Sequence, residues 1–297
     1  MRSKNPSDRY PLHQSPLFKM RGKGQFESLL GVEWGAVGRL IDPENYRVWT
    51  DKSNGKEREI QQPIAWLAKI HERIGALLSR IEVPDYLYSQ KGRSSIDNAR
   101  QHLGDFPLVK TDIQKFYPSI TRQMVYRMFT LDFQCAVDVA DRLADICCYQ
   151  QRHLPTGSAL SGPVAFFAAR HMFDEVSALA ESHHCKMTTY VDDVTVSGQA
   201  ATKTLLAEIR RVVRQHGLKT KSKKSKTYSA SAAKEVTGAV IAGSQLRLPN
   251  KQHQKIWTAK KELLTATEQD KPTLQRSLRG RLQQARQVLG EPKLVAQ

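Results

Sequence analysis

Tyr190-Val191-Asp192-Asp193-Val194 is the stretch that decides how this chain is read. Thr188, Tyr190 and the flanking valines are strong strand formers, and two adjacent aspartates interrupt them. Strand, Asp-Asp turn, strand predicts a β-hairpin over 187–197 with two carboxylates at its tip. Like charges repel there, and Asp is a poor strand residue, so the arrangement carries a cost that a bound cation offsets. Mg2+ suits the role: it is hard, takes oxygen ligands and is usually held by one or two carboxylates plus substrate phosphates. A solvated acidic turn is the bland reading of the same residues.

A second carboxylate at a strand end shifts the balance. Leu108-Val109-Lys110-Thr111 predicts a strand that runs into Asp112. If the two strands are neighbours, Asp112 and Asp192 bracket a pair of Mg2+ ions. Two ions roughly 4 Å apart can activate an attacking 3′-hydroxyl and stabilise a leaving pyrophosphate. Taken alone, Asp112 reads first as a helix N-cap or turn aspartate.

Outward from these residues the pattern is α+β. Residues 1–24 form a polar lead-in, and a helical pattern starts near Phe26 and continues at Val37–Ile41. Tyr46–Trp49 and Glu57–Ile60 predict two short strands around the turn signal Lys52-Ser53-Asn54-Gly55. Pro63 opens an amphipathic helix through Leu67, Ile70, Ile74, Leu77, Leu78 and Ile81, stopped by Pro84. Pro118-Ser119 is expected to cap a helix near Thr121, and a further helix is expected over 135–148. The loop Leu154–Ser158 leads into an apolar helix of about 20 residues starting near Gly162. A helix over 201–216, a lysine-rich loop, a hairpin around Val236–Gly238 and Leu246–Leu248, and a basic helical stretch at 250–289 complete the chain.

The 297 residues carry 46 Lys and Arg against 29 Asp and Glu, a net charge of +17. The excess is concentrated: residues 201–297 hold 21 basic and 6 acidic side chains. A nearly neutral body with a cationic last third suits a polyanion, nucleic acid first. Four cysteines without C-x-x-C spacing argue against a zinc ribbon or disulfide scaffold and fit a reducing compartment. His183-His184-Cys185 is a poor zinc set, because strand neighbours face opposite ways. No phosphate-binding G-x-x-x-x-G-K-[ST] loop occurs. The first 25 residues lack an apolar stretch of the kind secretory signals carry, and no apolar run has membrane-spanning length. A cytoplasmic protein without membrane partners is expected.

Asp112-Ile113-Gln114-Lys115-Phe116-Tyr117-Pro118-Ser119-Ile120 resembles motif A of reverse transcriptases. Leu154–Pro163 resembles motif B, Tyr190-Val191-Asp192-Asp193 is similar to motif C, and Gly217–Ser225 to motif D. The four stand in the family's order over about 45–245. Asn98-Ala99-Arg100-Gln101-His102 fits the N-A-x-x-H element and Val236-Thr237-Gly238 the V-T-G element of bacterial retron reverse transcriptases. An ordinary helix start and a strand ending in a turn glycine are the plain readings of these two.

The resemblance implies a right-hand polymerase. Residues 1–24 would be an N-terminal extension, 25–106 fingers, 107–243 the palm with its antiparallel sheet and a fingers insertion around 120–153, and 244–297 a small helical thumb. Asp112 and Asp192 would be the principal metal ligands for two Mg2+ ions, with Asp193 beside them and the Ile113 carbonyl completing a site. Tyr117 would lie under the sugar of the incoming dNTP, Gly157 would admit backbone close to the nucleotide, and Arg58, with Lys56 the weaker candidate, would clamp the triphosphate. Lys224 matches the motif D lysine that protonates pyrophosphate, although Lys219, Lys221, Lys223 and Lys226 crowd the same loop. Asn98, His102, Val236, Thr237 and Gly238 would contact RNA.

The implied activity is RNA-templated DNA synthesis on a cognate non-coding RNA. Priming from an RNA 2′-hydroxyl would give branched RNA–DNA, in an antiphage system with an effector protein. Two alternatives stand beside it: an abortive-infection-type or other prokaryotic reverse transcriptase without a dedicated RNA, and a non-enzymatic RNA-binding scaffold. Three departures from the family pattern are Thr156 where glutamine is common, Gly162 inserted between Ser161 and Pro163, and no asparagine in motif D.

Overall fold

The structure is a computed structural model that describes residues 9–52 and 57–290. Most of the turn expected at 52–55, and Lys56, lie outside the described residues. In chain order the helices are α1 (Lys23–Leu30), α2 (Val37–Leu40), α3 (Ala65–Leu78), α4 (Ser95–Arg100), α5 (Phe116–Ser119), α6 (Arg122–Arg127), α7 (Val137–Cys147), α8 (Ser161–Ala168), α9 (Arg170–Ser182), α10 (Lys203–Gln215), α11 (Asn250–Leu264) and α12 (Lys271–Leu289). The strands are β1 (Tyr46–Asp51), β2 (Arg58–Pro63), β3 (Leu108–Asp112), β4 (Lys186–Tyr190), β5 (Asp193–Ser197), β6 (Lys226–Tyr228), β7 (Lys234–Val236), β8 (Ala239–Ala242) and β9 (Gln245–Arg247).

The chain divides into two compact units, each woven from three segments. The first takes Met1–Pro84, Ile113–Val176 and Arg211–Thr220. It contains the β1–β2 hairpin, paired Tyr46↔Pro63 to Asp51↔Arg58, and the helices α3, α7 and α8. Leu67, Ile70, Ile74 and Leu78 point the apolar stripe of α3 inward, and Leu143, Ala144, Phe167 and Phe173 are buried with them. Such a stripe, repeating every three to four residues, makes the helix stable only when packed.

The second unit takes Asp85–Asp112, Ser177–Arg210 and Lys221–Gln297. Its main sheet has the order β4-β5-β3-β6, antiparallel throughout. A smaller sheet, β7-β8-β9, shares a core of Ile96, Ala99, Leu108, Val236, Ala239, Ile241, Leu248, Ala285 and Val288. The last helices, α11 and α12, pack on each other, and Ala259, Ala285 and Val288 are their buried positions.

Four expectations change. α3 ends at Leu78, because residues 80–82 leave the helix to pair with Tyr10: Tyr10 N–H donates to the Arg80 carbonyl (3.0 Å) and Glu82 N–H to the Tyr10 carbonyl (2.9 Å). The long apolar helix is two, broken where Ala169 adopts φ −105° and ψ 9°. Pro118 and Ser119 lie inside α5, and Thr121 caps α6 by accepting from Met124 N–H (3.3 Å). Finally, Asp193 is not in the hairpin turn: it is the first residue of β5, and the turn is Val191-Asp192.

Candidate active site

The second unit collects the three aspartates. β3 and β5 pair so that Asp112 stands directly opposite Asp193, and β4 and β5 pair Tyr190 with Asp193. Directly opposed residues share a face of the sheet, so the Asp112 and Asp193 side chains emerge together. Asp192 follows in the two-residue turn, which Val191 enters with φ +59°. That conformation is an outlier for a β-branched residue, with a cost of about 1–3 kcal/mol.

Crowding shows in the ionisation of the carboxylates. Burial, aided by the charges of Asp112 and Asp192, pushes the Asp193 carboxyl up to about 6, while Lys110 and Lys224 act against it. Asp112 is buried, and its carboxylate accepts from the Lys224 ammonium. Partial burial disfavours that ammonium, but Asp112, Asp192 and Asp193 together more than reverse the effect and raise its pKa. All three carboxylates therefore act on one cation.

The backbone explains why Lys224, out of five lysines, is the one there. Lys221 N–H donates to the Asp112 carbonyl (2.7 Å), and the Thr111 and Ser225 hydroxyls bond at 2.8 Å. These contacts hold a short 3-10 turn, Ser222–Lys224, over the end of β3. Lys226 is spent in β6, opposite Lys110.

The donor set is hard oxygen and suits Mg2+, although among the described residues no three His, Cys, Asp or Glu side chains converge closely enough to hold an ion unaided. That agrees with an ion whose remaining ligands are water and substrate phosphates. Asp112, Asp192 and Asp193 are the residues that would hold it.

The first unit carries Ile113, Tyr117, Arg58 and Gly157. Ile113 is buried and bridges Thr220, next to Gln114 N–H, which donates to the Lys219 carbonyl (2.7 Å). Tyr117 is the second residue of α5, after the buried Phe116, and its hydroxyl would lie 3.9 Å from a Cβ at Gly162. Arg58 is exposed at the start of β2. Gly157 has φ +116°, and a Cβ there would meet Ile60 Cγ2 at 2.8 Å.

Sequence reading missed what holds Gly157. Gln61 N–H donates to the Thr156 carbonyl and Thr156 N–H to Gln61 Oε1, both at 2.7 Å. On the other side, His71 is fully buried; its Nε2 donates to the Ile146 carbonyl (2.8 Å) and its Nδ1 accepts from the Ser158 hydroxyl (2.7 Å). A carbonyl only accepts, so this tautomer is forced. Burial holds the His71 imidazole down to about 4, partly opposed by the Ile146 bond.

The family model described as reverse transcriptase (RNA-dependent DNA polymerase) matches residues 44–266. The chain belongs to the reverse transcriptase family. Among curated relatives, the retron Ec86 reverse transcriptase of Escherichia coli is 27% identical over 222 residues, 71% of this chain and 68% of that one. The retron Se72 reverse transcriptase of Salmonella heidelberg is 27% identical over 181 residues, 57% of this chain but 46% of the relative's length. A solved telomerase from Candida albicans shares the fold at 8% identity, with a TM-score of 0.51 over 81% of this chain and 56% of that one. The resemblance to retron-type reverse transcriptases, and the α+β polymerase fold, are thus borne out. Among the described residues, no helix is long and apolar enough to cross a membrane.

In this reverse transcriptase the two retron elements meet each other. Val236 pairs with Ala239 across a two-residue turn, Thr237 at φ +41° and Gly238 at φ +89°, the positive-φ pair that a tight hairpin turn demands. Thr237 Oγ1 donates to the Ser95 carbonyl (2.6 Å) and accepts from Asn98 Nδ2 (3.4 Å). Asn98 and Val236 are fully buried and His102 is 2% exposed, so these three side chains reach the protein interior and not a surface.

Proposed function

We propose that this reverse transcriptase extends a primer by copying an RNA template into DNA, and that it does so in the retron manner. The attacking group would be a primer hydroxyl, in the first step a 2′-hydroxyl of a cognate structured RNA, and the product branched RNA–DNA. The observation that carries the reading is the pairing of Asp112 with Asp193 beside Asp192, with Lys224 seated on Asp112.

Asp112, Asp192 and Asp193 present oxygen ligands at one end of a rigid antiparallel sheet, where a substrate triphosphate can add its own. Bound there, divalent ions, Mg2+ by availability and hardness, would lower the charge repulsion between nucleophile and triphosphate. Lys224 holds its proton tightly and faces the same carboxylates, so it enters the reaction as an ammonium fit to neutralise or protonate phosphate oxygens. Tyr117, on the segment that follows Asp112, is the candidate for excluding a ribose 2′-hydroxyl. Arg58 is the candidate for the triphosphate, and Gly157 for close backbone approach. The basic helices α11 and α12 supply phosphate contacts of the kind that make binding salt-dependent. An effector protein and a defence role are the further part of this proposal, drawn from the retron resemblance alone.

The test has two arms. Purified protein is assayed for labelled dNTP incorporation on an RNA template, with Asp192→Ala as control; incorporation that survives in the variant overturns the active-site assignment. Nucleic acid that copurifies with the chain is then sequenced. Short DNA joined to RNA through a 2′ branch supports the retron mode, and unbranched or heterogeneous RNA refutes it.

A further inference from the structure

We propose that His102 is a positioning residue for nucleotide transfer, clamping both arms of the hairpin that carries Asp192 and Asp193; this rests on the polymerase reading above. Its Nε2 lies 2.7 Å from Thr188 Oγ1 on β4, and its Nδ1 lies 2.7 Å from Ser197 Oγ on β5. One imidazole thus spans the two strands. Hydroxyls can donate or accept, so a neutral ring satisfies both nitrogens in either tautomer. Burial, with the nearby charge of Lys186, holds the ring down to about 3, which keeps it neutral throughout the physiological range.

The clamp sits on the face that matters. Thr188 pairs with Thr195, Lys186 with Ser197 and Tyr190 with Asp193, while β3 adds Asp112 opposite Asp193. Thr188, Ser197, Asp193 and Asp112 therefore share one side of the sheet. From Thr188 to Tyr190 is two residues, roughly 7 Å along the strand. A slip of one residue would turn Asp193 to the opposite face and away from Asp112.

The turn does not secure that register by itself. Val191 sits at φ +59°, where a β-branched side chain is disfavoured, so the hairpin tip pulls against its own geometry. Restraint must come from further down the strands, and His102 is placed there. Its own support is firm. Ser94 and Asp97 close a capping box on α4 (Ser94 N–H to Asp97 Oδ2 3.0 Å, Asp97 N–H to Ser94 Oγ 3.1 Å). Asn98 and the Ser95 carbonyl engage Thr237, and Ile96 and Ala99 lie in the core. The neighbouring Gln101 accepts from the Lys186 ammonium (2.6 Å), fixing the base of β4 as well.

The experiment uses the full chain, a DNA primer on a homopolymeric RNA template, and the matching dNTP. Thr188→Val and Ser197→Ala each remove one hydroxyl and little volume, and His102→Ala removes the ring. Both hydroxyl variants are expected to lower kcat at saturating dNTP by about three- to tenfold with the dNTP KM within twofold, and His102→Ala by more than tenfold. The double variant His102→Ala/Thr188→Val should be no slower than His102→Ala, since the same contact is already gone. Rates are referred to the folded fraction from thermal melts. If His102→Ala fails to fold, the two hydroxyl variants decide alone. Wild-type kcat in those variants, or a change confined to KM or to the folded fraction, overturns the proposal. Failure of the wild type to incorporate dNTP would instead refute the polymerase reading.

Discussion

Replacing Gly157 by alanine tests whether the motif B loop needs a glycine for its conformation or for its proximity to β2. Two separate penalties follow from the geometry. At φ +116° an L residue is strained, which is worth about 1–3 kcal/mol. The new Cβ would also stand 2.8 Å from Ile60 Cγ2 and 3.5 Å from the Gln61 carbonyl, an overlap of the kind that costs ~1–3 kcal/mol. Together they predict a loss of about 2–6 kcal/mol, or a melting point lower by roughly 5–20 °C. The two parts separate in a double-mutant cycle. Ile60→Ala removes the overlapping methyl, so it should restore the steric part in the Gly157→Ala background and leave the backbone part. Denaturant unfolding of the four proteins measures the coupling. An unchanged melting point in Gly157→Ala, or complete recovery in the double variant, would refute the reasoning.

His71 gives a pH dependence of definite sign. Its folded pKa of about 4 lies below the usual 6.5, so the unfolded chain takes up the proton first. Stability is full above pH ~6.5 and falls as pH drops toward 4, by about 2 kcal/mol between pH ~7.5 and ~5; His71→Gln should flatten that slope in urea titrations, and an unaltered slope refutes the assignment. Arg122 donates to Asp145 (2.7 Å) and Asp141 (2.5 Å), and Asp145 is buried. Arg122→Met strands that carboxylate and should cost about 3 kcal/mol by chemical denaturation, whereas Asp141→Asn, at a half-exposed partner, should cost less than ~1 kcal/mol. The fully buried Lys234 donates to the Ala230 carbonyl (2.8 Å), so Lys234→Met should lower stability by about 1–3 kcal/mol despite its greater hydrophobicity. Lys224→Met should slow dNTP incorporation by at least tenfold while leaving the fold intact by circular dichroism, and wild-type rates would dismiss its role.

The Asp192-Asp193 hairpin was legible because its signal is local: strand formers lie on both sides of the two aspartates. The partnership of Asp112 with that hairpin was legible only through the resemblance of Asp112–Ile120 to motif A, since a lone aspartate after a strand reads as well as a cap or turn residue. What could not be read is whatever depends on distant chain meeting. Five lysines in one loop look alike in sequence, and only the Lys221–Asp112 and Thr111–Ser225 bonds single out Lys224. Apolar residues on either side of Ala169 merge into one helical run, because periodicity does not register a break in direction. Gln61 and His71 gave no signal: each acts through one or two contacts with residues more than 70 positions away. Asn98 and His102 were noticed, but their burial was not foreseeable, since a polar residue on a short helix is more often wet.

The sheet order also sets a timetable for synthesis. β3 lies between β5 and β6, so the strand ending in Asp112 has neither neighbour until residues 193–197 and then 226–228 have been made. At translation speeds of about 5–20 residues per second, that is a wait on the order of ten seconds. For the first part of it, until Asp193 is made, the ribosome holds a chain whose Asp112 has no partner strand, and Lys224 follows later still. A nascent chain of this protein therefore cannot bring Asp112, Asp193 and Lys224 together until residue 224 of 297 has been made.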